Sequence, residues 1–403
     1  MIDQPESTRE RILAARTAVM VVFAIAGVTF ASWASRIPDA KHALNLGPGE
    51  LGLTLFALSA GSLVAMPSTG RIATRIGIAA TIRIGLIGTG LGLLAVAAGV
   101  DIAQSRYAVM AGLFLIGLGV GIWDVAMNLE GAAVERLLGQ TVMPHFHAAF
   151  SAGTVVSALL GALMARFQVP LLVHLGGAAA LVVIGTQWAL RDFLPRGMGE
   201  EAPSPEVAEG PSRSAWTEPR TLLIGAVTLV AAFTEGTAND WLAVALVEGY
   251  GLPTWAGVLG FAVFLSFMTL GRLLGTKWLD QFGRVLVLRV TFALAILGSL
   301  LVIFGGPVLA FVGSAVWGVG VSLGFPVGMS ASADEPARAH ARMSTVATIG
   351  YLAFIAGPPV LGLLGEHVGV LHSLLAVGTM AAIAMLAIPA VREPDRAPGG
   401  RAL

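Results

Sequence analysis

The chain has 403 residues, of which 56% are hydrophobic and 12% charged, with a formal net charge of zero and no cysteine. A mean hydropathy of +0.82, and a charged fraction well below the roughly one quarter usual in soluble domains, exclude an ordinary soluble protein and identify a membrane protein. The absence of cysteine excludes a disulfide framework and a thiolate metal site. The balanced charge is silent about partners, and no nucleic-acid partner is expected.

Apolar runs long enough to cross ~30 Å of hydrocarbon, which takes ~20 helical residues, recur along the chain. Twelve are predicted, at 14–35, 49–69, 78–99, 107–128, 147–166, 169–190, 220–245, 255–275, 284–304, 308–330, 343–364 and 369–391. Barrel strands would be about 10 residues long and alternate in polarity; these runs are longer and do not alternate. Helices are the remaining solution, because each segment must satisfy its own backbone polar groups. The opening "MIDQPESTRERILAAR" leads into a run too long for a signal-peptide core, with no small-residue cleavage pattern behind it, so the first span is expected to be retained. Of the 24 Lys and Arg, only Arg36, Lys41, Arg106 and Arg166 fall on one side when the loops alternate. The positive-inside rule then places both termini in the cytoplasm.

Span one ends in "WASRIPDAK", where Pro38 cannot continue a regular hydrogen-bond ladder. Arg36 and Asp39 form one of the few charged patches on the outer side. They read either as an ion pair at the outer mouth or as an entrance site that accepts a proton or orients substrate, with Trp33 beside them. Span two is followed by the loop "GRIATRIG" (Gly70 to Gly77). Span four carries "GLGVGIWDVAMNLEG", a glycine-laced apolar helix that abruptly offers Asp124 and, one turn on and on the same face, Asn128. Span five begins with His145 and His147, whose two-residue spacing turns them apart on a helix, so a shared metal ion is not expected.

Between spans six and seven lies "RGMGEEAPSPEVAEGPSRSAWTEP", rich in Pro, Glu and Ser, a composition that favours a linker over a packed domain. The predicted organisation is therefore a six-helix bundle at 1–190, a cytoplasmic linker at 191–219 and a second six-helix bundle at 220–403. Span seven holds "FTEGTANDWLAVAL" with Glu235, Asn239, Asp240 and Trp241; Glu235 and Asn239, four apart, share a helix face. Span eight holds Arg272, which reads as a snorkelling residue at the cytoplasmic end or as the partner of a buried acid. The loop after it is "TKWLDQFGR", and Gly357, Pro358 and Pro359 in "FIAGPPVLG" are expected to interrupt span eleven. Gly88 with Gly92, Gly117 with Gly121 and Gly320 with Gly324 are small-xxx-small pairs suited to close helix packing.

The halves rhyme. Lys277, Gly283 and Arg289 each follow Arg71, Gly77 and Arg83 by 206 residues, and Gly318 and Gly320 follow Gly117 and Gly119 by 201. This is the signature of an internal repeat. The residue 201 positions after Asp124 is Phe325, so the acid belongs to one half alone, which argues for a functional task over a role in building the fold.

Twelve spans in a six-plus-six repeat, a central linker and a short basic glycine loop after spans two and eight resemble the major facilitator superfamily, over nearly the whole chain. The loop with Asp280, Gly283 and Arg284 resembles the superfamily's Asp-x-x-Gly-Arg gate motif; the loop after span two keeps Gly70, Arg71 and Gly77 but has Thr74 where the acid is expected. The resemblance implies gating roles for these six residues, Thr74 aside. Gly117, Gly119, Gly121, Asp124 and Asn128, with His147, Phe150 and Gly153 in "HAAFSAG", are similar to the fucose-permease-like branch of proton-coupled sugar transporters. There the acid is a Glu and a Pro follows the Asn, against Asp124 and Leu129 here.

The resemblance implies an all-α transporter working by alternating access, in which spans one and seven line the central cavity. Asp124 and Asp39 are expected to couple protons, and Asn128, Trp33, Arg36, Glu235, Asn239, Trp241 and His147 to meet substrate. The plainer alternative for Asp124 and Asn128 is hydrogen bonding between helices; His147 reads equally as a helix-start hydrogen-bonder. No G-x-x-x-x-G-K-[ST] loop occurs, so ATP is not expected to drive the protein directly, and no enzymatic activity, metal or cofactor is expected. The expected energy source is the proton gradient, the expected cargo a sugar or other small polar metabolite, and the expected state a monomer in the bilayer of a bacterial inner membrane. The alternative is proton-driven export of amphiphilic drugs or metabolites. Many exporters of the superfamily carry a Gly-Pro motif in span five, and no Pro lies between His145 and Val169 here, which tilts the reading to uptake.

Overall fold

In hydrocarbon a helix is the way for each run to satisfy its own backbone, and the computed structural model is helical without strand among its described residues. These are 6–140, 142–196, 198, 214–335 and 338–393, excluding the side chains of Glu6, Ser7 and His340. The first half comprises α1 (Glu6–Ala34), α2 (Ile37–Ala43), α3 (Pro48–Ile76), α4 (Ile78–Asp101), α5 (Arg106–Leu138), α6 (Met143–Arg166) and α7 (Leu171–Ala189). Pro38 falls in the first turn of α2, where its missing N–H has no helical acceptor to lose. Of the predicted linker, residues 197 and 199–213 lie outside the described residues.

The second half comprises α8 (Pro219–Thr237), a π-helical turn at Ala238–Leu242, α9 (Ala243–Tyr250), α10 (Thr254–Phe304), α11 (Gly306–Val321), α12 (Gly324–Ser332), α13 (Ala339–Val368), α14 (Val370–Ser373) and α15 (Leu375–Ala384). Ten helical stretches among the described residues are long and apolar enough to cross a membrane. The 51 residues of α10 would extend about 75 Å as one rod, far more than a bilayer. They are two spans meeting at Gly283, whose φ of 74° and ψ of 164° break the helix. With the shorter α14 and α15 forming the last, the arrangement matches a twelve-span fold. The expected interruption of span eleven is not found: α13 runs through Pro358 and Pro359 as one helix.

Glycine sets how closely the helices approach. A Cβ on Gly27 would collide with the Phe150 carbonyl and one on Gly153 with the Ala24 carbonyl, so α1 and α6 cross backbone to backbone. Gly61 and Gly117 do the same for α3 and α5, and Gly85 and Gly119 for α4 and α5. In the second half Gly298 and Gly313 join α10 to α11. Packing divides the chain into two compact units, one gathering 1–208 with 239–265 and 358–371, the other 209–238, 266–357 and 372–403. Within the first, Gly52 of α3 lies against the Pro358 carbonyl and Gly362 of α13, and α2 packs on α9. The second is built around fully buried Val227, Leu288, Val346, Ala381 and Ile388.

Gly77 between α3 and α4 has φ 89° and ψ 156°, almost the values of Gly283, so the sequence echo between the two loops is also an echo of backbone shape. That region of φ and ψ is essentially closed to side chains and costs on the order of 1–3 kcal/mol when forced. Gly77→Ala and Gly283→Ala should each lower the melting temperature of the purified protein. Gly70→Ala, in an exposed helical position with open space around it, should leave it unchanged or slightly raised.

Candidate functional site

The glycine contacts fix the rotation of α5. Gly117, Gly121, Asp124 and Asn128 follow one another at helical spacing along a single stripe. Gly117 and Gly121 press that stripe onto Leu58, Ser62 and Ala65 of α3, and the Ser62 hydroxyl donates to the Gly117 carbonyl at 3.0 Å. Where the stripe leaves α3 a cavity of about 140 Å³ opens, lined by Asp124 together with Thr29, Phe30 and Trp33 of α1, Trp123 and Met127 of α5 and Phe150 of α6. Asp124 is the one ionisable residue on this lining. Asn128 Nδ2 donates to the Asp124 carbonyl at 2.8 Å and reaches Asp124 Oδ1 at 3.5 Å. The Trp123 indole N–H is buried without an acceptor among the described residues. An acceptor of variable charge and an unused donor, set among aromatic faces, can hold a small polar molecule or pass a proton.

Phe30, Thr29 and Trp123 were not singled out by sequence. Phe30 lies three residues before Trp33 and seven after Phe23, a spacing that is ordinary in any apolar helix. What brings it to the site is the Gly27–Gly153 crossing, a long-range pairing with no local signal.

Asp39 Oδ2 lies 2.6 Å from Arg36 Nε, and Arg36, almost fully buried, also donates to the Val169 carbonyl at 2.7 Å. The ion pair expected at this end is therefore present. Beside it Lys41 bonds Glu248 of α9, at a cavity of about 330 Å³ that both residues line with His42 and Thr254. Glu50 and Arg106 form a further pair at the same end. His147 does not line the Asp124 cavity; its ring meets Phe23 edge-on at 5.2 Å.

In the second unit the Arg272 Nη2 meets both carboxylate oxygens of Glu235, at 2.9 and 2.8 Å, so the arginine is the partner of a half-buried acid. Three residues after Glu235 the π-helical turn begins, a widening with no signature in hydrophobic periodicity and one that recurs at functional sites. It carries Asn239, whose side-chain oxygen is buried without a donor among the described residues, and Trp241, which is completely buried.

The gate loops differ between halves. Arg284 Nη1 binds Asp334 at 2.8 Å and its Nη2 donates to Ser330 Oγ at 3.0 Å. Asp334 is also held by Arg220 at 2.6 Å, while Asp280 is exposed. Glu218 receives Arg342, Arg338 and the Thr221 hydroxyl. Partial desolvation opposes these contacts, yet they hold its carboxyl below the usual range. In the first half Arg71 is exposed, and Thr74, in the acid's place, bonds the Arg71 carbonyl.

Helices of this number and packing, with an apolar, aromatic-lined cavity that holds one carboxylate inside one bundle, define a multi-pass membrane protein of the transporter class. Residues 17–341 match the Major Facilitator Superfamily, and the chain belongs to that superfamily. It is 32% identical to an uncharacterised transporter of this type from Yersinia pestis over 356 residues, covering 86% of this chain and 88% of the relative. Its fold is similar to that of the nucleoside transporter NupG (TM-score 0.75, 14% identity, 94% of this chain and 99% of that one). It is also similar to that of the Escherichia coli fucose:proton symporter FucP (TM-score 0.61, 15% identity, 94% and 98%).

Removing one member of an ion pair held partly out of water, as Glu235 and Arg272 are, costs more than removing both, because the survivor is left uncompensated. Glu235→Ala should therefore lower the melting temperature more than the Glu235→Ala/Arg272→Ala double substitution. The coupling is read from a double-mutant cycle. Glu218 adds a pH dependence of known sign: with its folded-state pKa depressed, its contribution is complete above the ordinary carboxylate range and is lost as pH falls through the depressed value. Glu218→Gln should flatten the acid limb of the stability profile.

Proposed function

We propose that the protein is a proton-coupled symporter that brings a sugar or another small polar metabolite into the cell by alternating access. The observation that carries this reading is Asp124 as the sole ionisable group on an aromatic-lined cavity. An ionised carboxylate is costly in such surroundings, so Asp124 is neutral when its cavity is closed to water and ionises when water reaches it. Cycling between these states ties proton movement to the change of access.

Phe30, Trp33 and Phe150 offer flat faces to a hydroxylated ring, and Asn128 lies one turn away. The orphaned Trp123 N–H on the same cavity supplies a donor that a polar ligand would satisfy. Arg36 and Asp39 guard the outer entrance, Asp39 receiving protons on their way to Asp124. That NupG is a nucleoside transporter and FucP a fucose:proton symporter agrees with a hydroxylated cargo. Both termini are cytoplasmic and the protein works in a bacterial inner membrane as a monomer.

Asp124→Asn should abolish proton-driven accumulation while sparing substrate exchange across a membrane without a gradient; full accumulation by the variant would remove Asp124 from the coupling. The cargo class is tested by thermal stabilisation of the purified protein. A sugar or polyol should raise the melting temperature, whereas stabilisation by lipophilic cations alone would establish an amphiphile exporter instead. Because the chain has no cysteine, a single cysteine placed between Pro203 and Pro211 reports topology directly: an impermeant thiol reagent should reach it only from the cytoplasmic side.

A further inference from the structure

At the linker end of the first unit, bordering the Gly77 loop, lies a larger cavity of about 620 Å³ whose lining shares no residue with the Asp124 cavity. It is formed where the end of α3, the start of α4, the end of α5 and the stretch Leu194–Arg196 converge. Its charged lining is Arg83, Arg136, Arg196 and Glu130, an excess of two positive charges. Glu130 is buried and accepts the Leu194 N–H at 2.7 Å, which pins the post-α7 segment as the cavity's wall.

Arg83 and Arg196 have neutral partners. Arg83 Nε donates to Gln187 Oε1 at 3.2 Å, and Arg196 Nη2 donates to the Arg75 and Thr74 carbonyls at 2.8 and 3.3 Å. Among the described residues neither guanidinium meets a carboxylate. The contrast with the linker end of the second half is sharp, for there Arg220, Arg284, Arg338 and Arg342 are each matched by Asp334, Glu218, Glu335 or Glu393. The first half thus holds two cations with no carboxylate partner among the described residues.

The surroundings say what offsets it. From Arg83 an exposed apolar row, Ile84, Ile87 and Leu91, runs up α4 at helical spacing, and Leu129 and Ile76, both exposed, border the cavity. The site therefore joins a cationic recess to a lipid-facing track. We propose that this cavity binds the phosphate headgroup of an anionic phospholipid from the leaflet on the linker's side, with Arg83 and Arg196 holding the phosphate and the acyl chains lying along Ile84, Ile87 and Leu91. Basic recesses between helices on the cytoplasmic side suit such headgroups, and guanidinium forks match phosphate oxygens.

The test is native mass spectrometry of the full-length protein in detergent, titrated with phosphatidylglycerol, with phosphatidylcholine and with inorganic phosphate. The wild type should retain phosphatidylglycerol in preference to phosphatidylcholine. Arg83→Gln/Arg196→Gln should weaken phosphatidylglycerol binding by about tenfold or more, from ~1 kcal/mol per arginine near the headgroups. Arg83→Lys/Arg196→Lys should keep much of it. Arg191→Gln/Arg289→Gln, which removes the same charge from exposed positions outside the cavity, should leave it unchanged. Equal retention of both lipids, or equal loss in the Arg191/Arg289 control, would overturn the proposal. Inorganic phosphate displacing phosphatidylglycerol at comparable concentration would overturn the lipid assignment in favour of a free-anion site. Unchanged melting temperatures of the ligand-free variants exclude misfolding as the cause of a loss.

Discussion

Close approach of helix backbones is the constraint on which the rest of this structure depends. Lipid tails are as apolar as leucine, so burying a leucine between two membrane helices gains little; contact has to come from surfaces that fit. Gly27 against Phe150, Gly61 against Gly117 and Gly85 against Gly119 let α1, α3, α4, α5 and α6 touch at the main chain. Once the backbones meet, each helix has one rotation and one height at which its glycines fit. The rotation of α5 directs the Asp124 stripe, and the α1–α6 crossing puts Phe30 and Phe150 on the same cavity. The site is thus a by-product of packing that contains no catalytic-looking residue.

Charge is handled differently in the two halves. The second half neutralises its arginines with carboxylates, most completely where Asp334 receives both Arg220 and Arg284. The first half has lost the acid of its gate loop, with Thr74 in its place, and Arg196 caps carbonyls at the end of α3 instead. An internal repeat therefore does not imply two equal gates. The half that carries Asp124 also carries, among the described residues, the weaker ion-pair network at its linker end.

The sequence made the helical class, the number of spans and the repeated loop readable because each depends on local composition or fixed spacing. Twenty apolar residues announce a span, and Gly77 and Gly283 announce a backbone shape that other residues avoid. Asp124 was legible as a charge out of place. The cavity around it was not, since Thr29, Phe30 and Trp123 are unremarkable on their own helices and line one cavity only through contacts between residues far apart in the chain. The π-helical turn at Ala238–Leu242 was invisible for a related reason: it changes the hydrogen-bond ladder and leaves the apolar pattern intact. Pro358 and Pro359 misled in the opposite direction. Proline was read as a break, yet α13 absorbs both, with Gly52 of α3 seated against the carbonyl of Pro358.

Those irregularities sit at telling places. Besides the linker, the chain passes between its two compact units after Ala238, Leu265, Gly357 and Leu371. The first passage lies in the π-helical turn, the third precedes two prolines that donate no hydrogen bond, and the fourth comes just before the break between α14 and α15. Only the passage within α10 is ordinary helix. The regular ladder of helix hydrogen bonds is altered or interrupted at or beside three of these four passages and is continuous at the one within α10.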